Sequence, residues 1–573
     1  MAEESHWDEV VDVVVVGTGA GGLTSALVAH DGGAAVLVVE KDQYIGGTTA
    51  VSGGDMWIPL NRHVADRDTR EEAIAYVTRL SDGRASDPEL IAHYVDTASE
   101  ALVYLEEKTE YRSMPHGGLD DYYSVIPGRL PGVKEFPRSV SAAAYPVVER
   151  LGVEGAKLIN PSPWVSPVEI AYGEVLATGQ AVDVPVFYGE DDRPVVSREE
   201  YERRKNEGFR GKGGGLIAPL YRGLLDRGVE VRTSFPASRL ITDDDGAVIG
   251  VVAGPSSAER RIGVRRGVVL AAGGFEWNPE MVKTFLGYEV KPCTPWANTG
   301  DGHMMAMAAG AKLGNMGTFF SYGVMYDPWQ VGRDGEPLPQ MYMGLGPGSI
   351  IVNQHAKRFM HGGYTYNDFS HPFNEFDQRD PGYPNKGPAW CLVGAEHLER
   401  GLFESKVMTG ADGELSLVGP QGQSAPEWLV IGRSVRELAE KMGVDADTLE
   451  QTVTRYNKFA KNGEDPDWAD PKQIRALTGP NNVNIKPVAG GPFAAIQQWP
   501  GTIGTSGGPR IDKNAQVLGN YTPLIDGLYA AGNTSASVLG GTYPGGGSCV
   551  GPSMVTGYWA GRHLGDKASR DIG

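Results

Sequence analysis

Residues 10–22 read VVDVVVVGTGAGG and carry the strongest local fold signal in this chain. The first seven of these residues are mostly β-branched, which is typical of a strand buried on both faces of a sheet. They run into Gly17-Thr18-Gly19-Ala20-Gly21-Gly22, a G-x-G-x-x-G pattern, and then into LTSALVAHDG, a plausible helix. A second apolar strand follows and ends in Glu40. This order predicts a Rossmann-like α/β domain that binds a dinucleotide.

Each part of this fingerprint has an expected task. Gly17 makes the tight turn, Gly19 admits the pyrophosphate, and Gly22 lets the helix pack on the strand. The pyrophosphate is expected at the N-terminus of the helix, beside Ala20 and Gly21. Glu40 is expected to accept hydrogen bonds from the ribose hydroxyls. The alternative interpretation is a glycine-rich turn that binds nothing.

A second glycine-rich loop, KDQYIGGTTAVSGGDMWIP at residues 41–59, favours a flavin over a nicotinamide cofactor. A flavin runs extended from adenine to isoalloxazine and needs such a loop along its ribityl chain and ring. No second G-x-G-x-x-G follows a strand downstream, so a separate nicotinamide domain is not expected. The loop residues expected to bind the cofactor are Lys41, Gly46, Gly47, Thr48, Thr49, Ser52, Gly53 and Gly54.

Length and composition limit the domain count and the partners. A chain of 573 residues is too long for one hydrophobic core, so two domains are expected. The net charge of −20 argues against nucleic acid and against an anionic membrane surface as partners. The acidic start MAEESHWDE is not a signal peptide, and no apolar run reaches the length of a membrane span. A cytoplasmic location is expected, with peripheral membrane contact left open.

The three cysteines, Cys293, Cys391 and Cys549, are widely spaced and odd in number. Neither a disulfide framework nor a metal site can be built from them, which fits a reducing compartment. No metal ligand set is predicted.

The motifs at the two ends of the chain carry a family resemblance. VVVVGTGAGG, VEKDQYIGGTTAVSGG and DGLYAAGNTSASVLGGTYPGGGS resemble the flavoprotein superfamily of fumarate reductase and succinate dehydrogenase. Within it, they are most similar to the flavin-dependent 3-ketosteroid Δ1-dehydrogenases. The resemblance spans most of the chain and implies FAD. It adds cofactor-binding positions Ala272 and Gly273 in RRGVVLAAGGFEWN, Asp301 in ANTGDGHMMAMAAGA, and Gly532 and Asn533.

The resemblance also implies how the cofactor and the domains are arranged. Covalent members carry a histidine near the position of Gly47, and this chain has none there, so FAD should be non-covalent. The FAD-binding domain should comprise residues 1–314 and 500–573. An α+β substrate-capping, catalytic domain should be inserted at 315–499. Inside it, residues 432–461 are expected to form two amphipathic helices divided at Gly443.

Two departures exclude a dicarboxylate substrate. The fumarate and succinate enzymes carry His-Thr-Met-Gly-Gly where this chain has Gly504-Thr505-Ser506-Gly507-Gly508. They carry an arginine where this chain has Thr542-Tyr543-Pro544. Two unpaired carboxylates in a dry pocket would be very costly, so the substrate should be neutral at its reacting end. A small apolar cyclic ketone is the expected partner.

The resemblance assigns catalytic roles to four residues. Tyr543 and the backbone N–H of Gly547 match the pair that binds the C3 carbonyl in the ketosteroid dehydrogenases. Tyr366 lies seven residues after Phe359, where the family places its catalytic base. Tyr122, in LDDYYSVIPGR, matches the supporting tyrosine. The expected reaction removes the C2 proton and transfers the C1 hydride to flavin N5.

Several alternatives stay open from the sequence. Tyr364 could be the base instead of Tyr366, and His361 or His371 could act as bases, although a structural role suits them better. The substrate could be a smaller ketone of the cyclohexanone type. The chain could also be an enone reductase or a flavin-binding protein without catalysis. The electron acceptor is unknown, and a quinone-like compound is one candidate.

Overall fold

The computed structural model describes residues 7–84, 87–116, 120–124, 130–178, 181–183, 194–332, 335–361, 365–379, 381–465, 467–468 and 485–572. Two large β-sheets organise these residues. The α-helices are Ala20–Asp31, Gly47–Val51, Arg70–Ser81, Pro88–Lys108, Val147–Leu158, Arg198–Asn206, Lys212–Asp226, Pro279–Met281, Asp301–Ala308, Ala395–Glu399, Val435–Met442, Ala446–Ala460 and Val550–Asp566.

The first sheet is the Rossmann-like one that the opening motif predicts. Strand Glu9–Val16 lies at its centre, with Val14 paired in parallel to Leu37 on one side and to Val268 on the other. Its valines 13–15 are fully buried, as expected for a parallel strand covered on both faces. The strands, in spatial order, are Ala237–Thr242, Val248–Ala253, Arg260–Leu270, Glu9–Val16, Val36–Val39 and Glu230–Arg232, with Leu528–Ala530 also pairing Arg260–Leu270.

Two helices pack closely beside this sheet. The predicted helix after the glycine turn forms as Ala20–Asp31, and it packs against Val550–Asp566. Glycines recur every fourth residue along the facing side of Val550–Asp566. A Cβ added at Gly557 would lie 2.2 Å from the Gly21 carbonyl oxygen, and one at Gly561 would lie 2.6 Å from the Val28 Cβ. This stripe of glycines, 557, 561 and 565, therefore allows the two helix backbones to approach each other.

The second sheet lies in the middle of the sequence. Its strands, in spatial order, are Pro337–Met341, Phe319–Val331, Phe493–Thr505, Ala389–Val393 and Ser349–Val352, with Lys291–Pro292 and Leu429–Gly432 also pairing Phe493–Thr505. Helices Val435–Met442 and Ala446–Ala460 confirm the predicted pair, and Gly443 between them has a φ of +72°. The architecture is thus a Rossmann-like domain with an inserted α+β domain.

The division at residues 314/315 and 499/500 stays a prediction. Strand Phe493–Thr505 runs through residue 500, and Lys291–Pro292 joins the second sheet although it precedes residue 315.

Smaller sheets complete the fold. They contain Met56–Trp57, Ser113–Pro115 and Ser139–Ala142; Val175–Thr178, Ala181–Asp183 and Val195–Val196; Leu313–Gly314 and Gly508–Pro509; and Lys406–Thr409 and Leu415–Val418. Among the described residues, no helix combines the length and the apolar character that crossing a bilayer requires.

Candidate active site

An elongated cavity starts at the turn after strand Glu9–Val16. Most of the predicted cofactor residues line it, although they come from distant parts of the sequence. These residues are Gly17, Gly19, Ala20, Gly21, Glu40, Lys41, Gly47, Thr48, Thr49, Ala272, Gly273, Asp301, Gly532 and Asn533.

The glycines of the turn are required by close backbone contacts. Gly17 has a φ of +106°, and a Cβ there would lie 2.2 Å from the Ala271 carbonyl oxygen. A Cβ at Gly22 would lie 2.0 Å from the Gly17 carbonyl oxygen, so Gly22 closes the turn instead of lining the cavity. At Gly19, by contrast, the nearest protein atom to an added Cβ is the Thr49 hydroxyl at 3.7 Å. Gly19 therefore leaves open space for a ligand.

Glu40 is held in place by the turn itself. Its Oε2 accepts from the Thr18 N–H at 3.0 Å and from the Thr18 hydroxyl at 2.5 Å, while Oε1 accepts from the Asp42 N–H at 2.9 Å. Burial raises the pKa of Glu40. Each carboxylate oxygen can accept more than one hydrogen bond, so Glu40 keeps capacity for a ribose hydroxyl.

Lys41 and Asp301 meet at the same cavity. The Lys41 Nζ lies 2.7 Å from Asp301 Oδ2 and 2.6 Å from the Thr299 hydroxyl. The two predicted residues therefore form an ion pair with each other at the cavity wall.

The remaining predicted loop residues shape the loop and do not line the cavity. The Gly46 N–H donates to the Thr18 hydroxyl at 2.9 Å, and the Ser52 hydroxyl donates to the Thr49 carbonyl at 2.7 Å. A Cβ at Gly53 would lie 2.5 Å from the Tyr172 ring, and one at Gly54 would lie 2.2 Å from the Lys212 backbone. These four positions are small because neighbouring groups pack against them.

Sequence reasoning missed part of the cavity wall. Thr18, Asn298, Cys549, Val550 and Ser553 also line it. Asn298 donates to the Thr48 hydroxyl at 2.8 Å, which joins two predicted segments. The sequence signal that could have identified Asn298 is its position three residues before the predicted cofactor residue Asp301. Helix Val550–Asp566 begins at the cavity and so presents its positive end there.

These features fit FAD. A glycine turn opens into the cavity, a helix N-terminus and a buried carboxylate lie beside it, and threonine hydroxyls continue along its wall. Position 47 is a glycine with a φ of +47° and no side chain that could form a covalent flavin link.

Three predicted tyrosines come together beyond the cavity. The hydroxyl oxygens of Tyr122 and Tyr366 lie 3.0 Å apart. The Tyr543 ring centroid is 5.1 Å from that of Tyr366 and 5.8 Å from that of Tyr122. Phe320 and Cys549 pack against the group, and Cys549 also lines the cofactor cavity. The predicted base, its supporting phenol and the carbonyl-binding phenol therefore form one cluster next to that cavity.

Burial controls the acidity of this cluster. Burial raises the pKa of Tyr366 well above the usual value for tyrosine, and the neighbouring phenols Tyr122 and Tyr543 raise it further. Burial likewise raises the pKa of Tyr543. Tyr543 is therefore a neutral hydrogen-bond donor at neutral pH, as a carbonyl-binding group must be.

Distant residues hold the loop that carries Tyr543. The Pro544 carbonyl accepts from the Tyr76 hydroxyl at 2.8 Å and from the Tyr122 N–H at 2.9 Å. The Ser139 hydroxyl donates to the Gly546 carbonyl at 2.7 Å. Tyr122 thus contacts both Tyr366 and the loop of Tyr543.

Gly547 presents its backbone in a way that another residue could not. It has a φ of +81°, and an added Cβ would lie 2.2 Å from the Asp55 carbonyl oxygen. Its carbonyl accepts from the N–H groups of Trp57 and Gly551. Its own N–H donates to no other residue in the part of the chain that the structure describes.

A fully buried arginine supports the segment of Tyr122. Arg138 Nη1 lies 2.5 Å from Asp121 Oδ2, and its Nη2 lies 2.8 Å from Asp68 Oδ1, with all three side chains withdrawn from solvent. Asp121, which directly precedes Tyr122, also accepts from the Trp57 indole N–H at 3.0 Å. No motif or spacing in the sequence predicts this ion cluster.

The alternative bases have different positions. Tyr364 lies outside the described residues, so its role stays a prediction. His361 Nε2 lies 3.9 Å from Asp465 Oδ2, in an ion network with Arg358, which fits the structural role expected of it. His371 begins the short 3₁₀ turn His371–Asn374. In the described part of the chain, no group of three His, Cys, Asp or Glu residues could hold a metal ion.

Comparison with known proteins agrees with this site. The family model described as "FAD binding domain" matches residues 12–550. The 3-oxosteroid 1-dehydrogenase of Mycobacterium tuberculosis is 35% identical over 98% of this chain and 99% of its own length. The 4-oxocyclohexanecarboxylate 2-dehydrogenase of Sinomonas cyclohexanicum is 32% identical over 97% of this chain and 93% of its own length.

Solved structures give the same result. A 3-ketosteroid Δ1-dehydrogenase from Sterolibacterium denitrificans, in complex with 1,4-androstadiene-3,17-dione, superposes with a TM-score of 0.77 at 28% identity, over 97% of this chain and 99% of that one. A flavocytochrome c3 fumarate reductase shares the fold, with a TM-score of 0.59 at 20% identity over 98% of this chain and 79% of that one. The chain therefore belongs to the FAD binding domain family and, within it, to the group of 3-oxosteroid 1-dehydrogenases and their cyclic-ketone relatives.

Proposed function

We propose that this chain is an FAD-dependent oxidoreductase that introduces the 1,2 double bond into 3-ketosteroids. The observation that carries the proposal is the cluster of Tyr122, Tyr366 and Tyr543, with two hydroxyls 3.0 Å apart, next to a cavity suited to FAD. The 35% identity to a 3-oxosteroid 1-dehydrogenase over nearly the whole chain supports the same chemistry.

The roles of the residues follow from their chemistry. Tyr543 Oη and the Gly547 N–H donate hydrogen bonds to the C3 carbonyl oxygen, which gains negative charge as the C2 proton leaves. Preorganised donors stabilise such charge more than water can. Tyr366 Oη, as the phenolate, takes the C2 proton and becomes the neutral phenol, and Tyr122 Oη lies 3.0 Å away, within hydrogen-bonding distance, to relay the proton onward. FAD, when bound, accepts the hydride that leaves C1.

A smaller ring ketone is the second candidate substrate. The 32% identity to 4-oxocyclohexanecarboxylate 2-dehydrogenase over 97% of the chain favours it. The donors and the base would serve both substrates, since both present a ketone with an adjacent CH–CH bond. A quinone-like compound remains the proposed candidate for the acceptor that reoxidises the flavin.

Anaerobic flavin reduction tests the proposal. The FAD-loaded protein is mixed with androst-4-ene-3,17-dione or with cyclohexanone, and the loss of flavin absorbance is followed in a stopped-flow instrument. Bleaching by the steroid supports the first candidate, and bleaching by cyclohexanone alone supports the second. Tyr366→Phe should slow bleaching by a factor on the order of 10² or more, as expected for removal of a positioned general base.

A matched control removes a phenol far from the site. Tyr104 bonds Asp31 on the surface of the FAD-binding part, with 2.7 Å between the Tyr104 hydroxyl and Asp31 Oδ2, so Tyr104→Phe should leave the rate unchanged. If Tyr366→Phe kept the wild-type rate and Tyr364→Phe lost it, the base would be Tyr364. If neither ketone bleached the wild-type flavin, the proposed function would be wrong.

A further inference from the structure

A second contact lies directly beside the bond between Tyr122 and Tyr366. The hydroxyl of Tyr123 lies 3.0 Å from Asp368 Oδ1 and 2.9 Å from Asp368 Oδ2. Asp368 Oδ2 also accepts from the Thr365 hydroxyl at 2.8 Å. Two neighbouring residues of one segment, Tyr122 and Tyr123, thus bind two residues of another, Tyr366 and Asp368.

The two segments are anchored to different parts of the fold. The Tyr122 segment is fixed through its N–H to the Pro544 carbonyl, on the loop of Tyr543. The other segment is the 3₁₀ turn Tyr366–Asp368, whose Asn367 Oδ1 accepts from the Ser321 N–H at 3.0 Å, on a strand of the second sheet. The hydrogen bond from Tyr123 to Asp368 therefore joins the 3₁₀ turn that carries Tyr366 to the segment of Tyr122, which is itself bound to the loop of Tyr543.

An ionised Asp368 makes this second contact the stronger of the two; burial raises the pKa of Asp368, and the hydroxyls of Thr365 and Tyr123 act in the opposite direction. A phenol that donates to a carboxylate forms a charge-assisted hydrogen bond, whereas two phenols form a neutral one. Asp368 is only partly exposed, and its two oxygens share three short contacts with Tyr123 and Thr365. The phenol–carboxylate bond is thus better suited than the phenol–phenol bond to fix the distance between the segments.

We propose that Tyr123 and Asp368 are a positioning pair that places Tyr366 against Tyr122 and Tyr543 for proton abstraction. Neither residue touches the reacting atoms, so they act through the base. The proposal rests on the proposed function, because proton abstraction by Tyr366 is part of it. It assigns a task to two residues that the motifs of the site leave unexplained.

The test measures flavin reduction in FAD-loaded variants, at saturating concentrations of whichever ketone bleaches the wild type. Tyr123→Phe should lower the rate constant about tenfold, because small displacements of a reacting group are costly, while the ketone dissociation constant stays within about threefold. Asp368→Asn keeps an acceptor for Tyr123 and should lose less than Asp368→Ala. The double variant Tyr123→Phe/Asp368→Ala should be no slower than Asp368→Ala, because both changes break one bond.

Tyr104→Phe again supplies the control, because it removes a phenol–carboxylate bond of the same chemistry with Asp31 at a remote position. A merely structural role for the pair would lower the melting temperature and the FAD content without changing the rate constant. That result, a wild-type rate in Tyr123→Phe, or strictly additive losses in the double variant would overturn the proposal.

One measurement does not depend on the substrate. If neither ketone bleaches the wild-type flavin, the proposed function fails, and crystal structures of the FAD-loaded wild type and Tyr123→Phe decide the positioning role. The proposal expects the Tyr122–Tyr366 hydroxyl distance to open beyond hydrogen-bonding range in the variant. An unchanged distance, near the 3.0 Å found here, would overturn it.

Discussion

Replacing Arg138 by methionine should destabilise the protein strongly and specifically. The guanidinium is fully buried between Asp68 and Asp121, with distances of 2.8 Å and 2.5 Å to the two carboxylates. Methionine fills similar space but carries no charge. The variant therefore leaves two buried carboxylates close together without a cation.

The expected size follows from what the carboxylates retain. Asp68 still accepts from the N–H groups of Leu60 and Thr69, and Asp121 still accepts from Trp57 and Lys134. The loss is therefore mainly uncompensated charge, and removing one partner of a buried pair typically costs about 3–5 kcal/mol. Because these donors remain, and because burial already raises the pKa of Asp121 to about 7 so that it can take up a proton, we expect the lower end of this range, about 3 kcal/mol.

Thermal unfolding of the FAD-loaded protein is the assay. Because the unfolding entropy of a chain of 573 residues is large, a loss of about 3 kcal/mol should lower the melting temperature of Arg138→Met by about 2–3 °C. Adding Asp68→Asn and Asp121→Asn removes the uncompensated charges and should recover a large part of that loss. Arg70→Met is the matched control, because Arg70 pairs with Asp96 in solvent and exposed pairs contribute little.

A wild-type melting temperature in Arg138→Met would contradict this prediction. A further loss of stability when the two asparagine replacements are added to the methionine variant would contradict it as well. In that case the cluster would act through packing or hydrogen bonding and not through charge.

The remaining predictions concern rate, geometry and cofactor. Burial raises the pKa of Tyr366, so the deprotonated base becomes more abundant as pH rises. Below that pKa, the flavin-reduction rate constant should therefore increase about tenfold per pH unit. A stopped-flow rate that does not change with pH would contradict the assignment of Tyr366 as the base. Gly547→Ala keeps the backbone N–H, but its Cβ would lie 2.2 Å from the Asp55 carbonyl oxygen, so displacement of this donor should slow reduction about 10²-fold. Gly33→Ala, at a glycine whose φ is also positive and which has no atom within 4 Å of an added Cβ, should leave the rate unchanged. Gly557→Val should force the two packed helices apart and lower the FAD-to-protein ratio measured by absorbance; full occupancy would argue against the glycine stripe. Acid precipitation should release FAD into the supernatant, and flavin retained in the pellet would show a covalent link.

The fold could be predicted from the sequence because its signals are local. The buried β-branched strand, the glycine turn and the helix lie within residues 10–31, and the structure forms each of them in order. The two helices on either side of Gly443 could be predicted for the same reason, because amphipathic spacing and a glycine with positive φ are both local signals.

The site was only partly predictable. Glu40 was expected at the ribose, and the structure adds that Thr18 and Asp42 hold its carboxylate. Gly54 was expected at the cofactor, but this position is small because the Lys212 backbone lies against it. A glycine pattern does not distinguish room for a ligand from room for a neighbouring chain segment.

The Arg138 cluster and the pair of Tyr123 and Asp368 could not be predicted from the sequence. Their members are separated by up to 245 residues, and no spacing rule links them. Only the folded arrangement of the two sheets brings such residues into contact, and buried ion pairs carry no periodic signal of their own.

The contacts between the ends of the chain have a consequence for biosynthesis. Tyr543, the loop that Tyr76 holds through Pro544, and the glycine-striped helix are all encoded more than 450 residues after Tyr76. When only the opening strand, turn and helix have been synthesised, the C-terminal residues that line the other side of the cofactor cavity have not yet been translated. Stable loading with flavin must therefore await nearly all of translation, and a message truncated before residue 543 would yield a protein that is colourless as well as inactive.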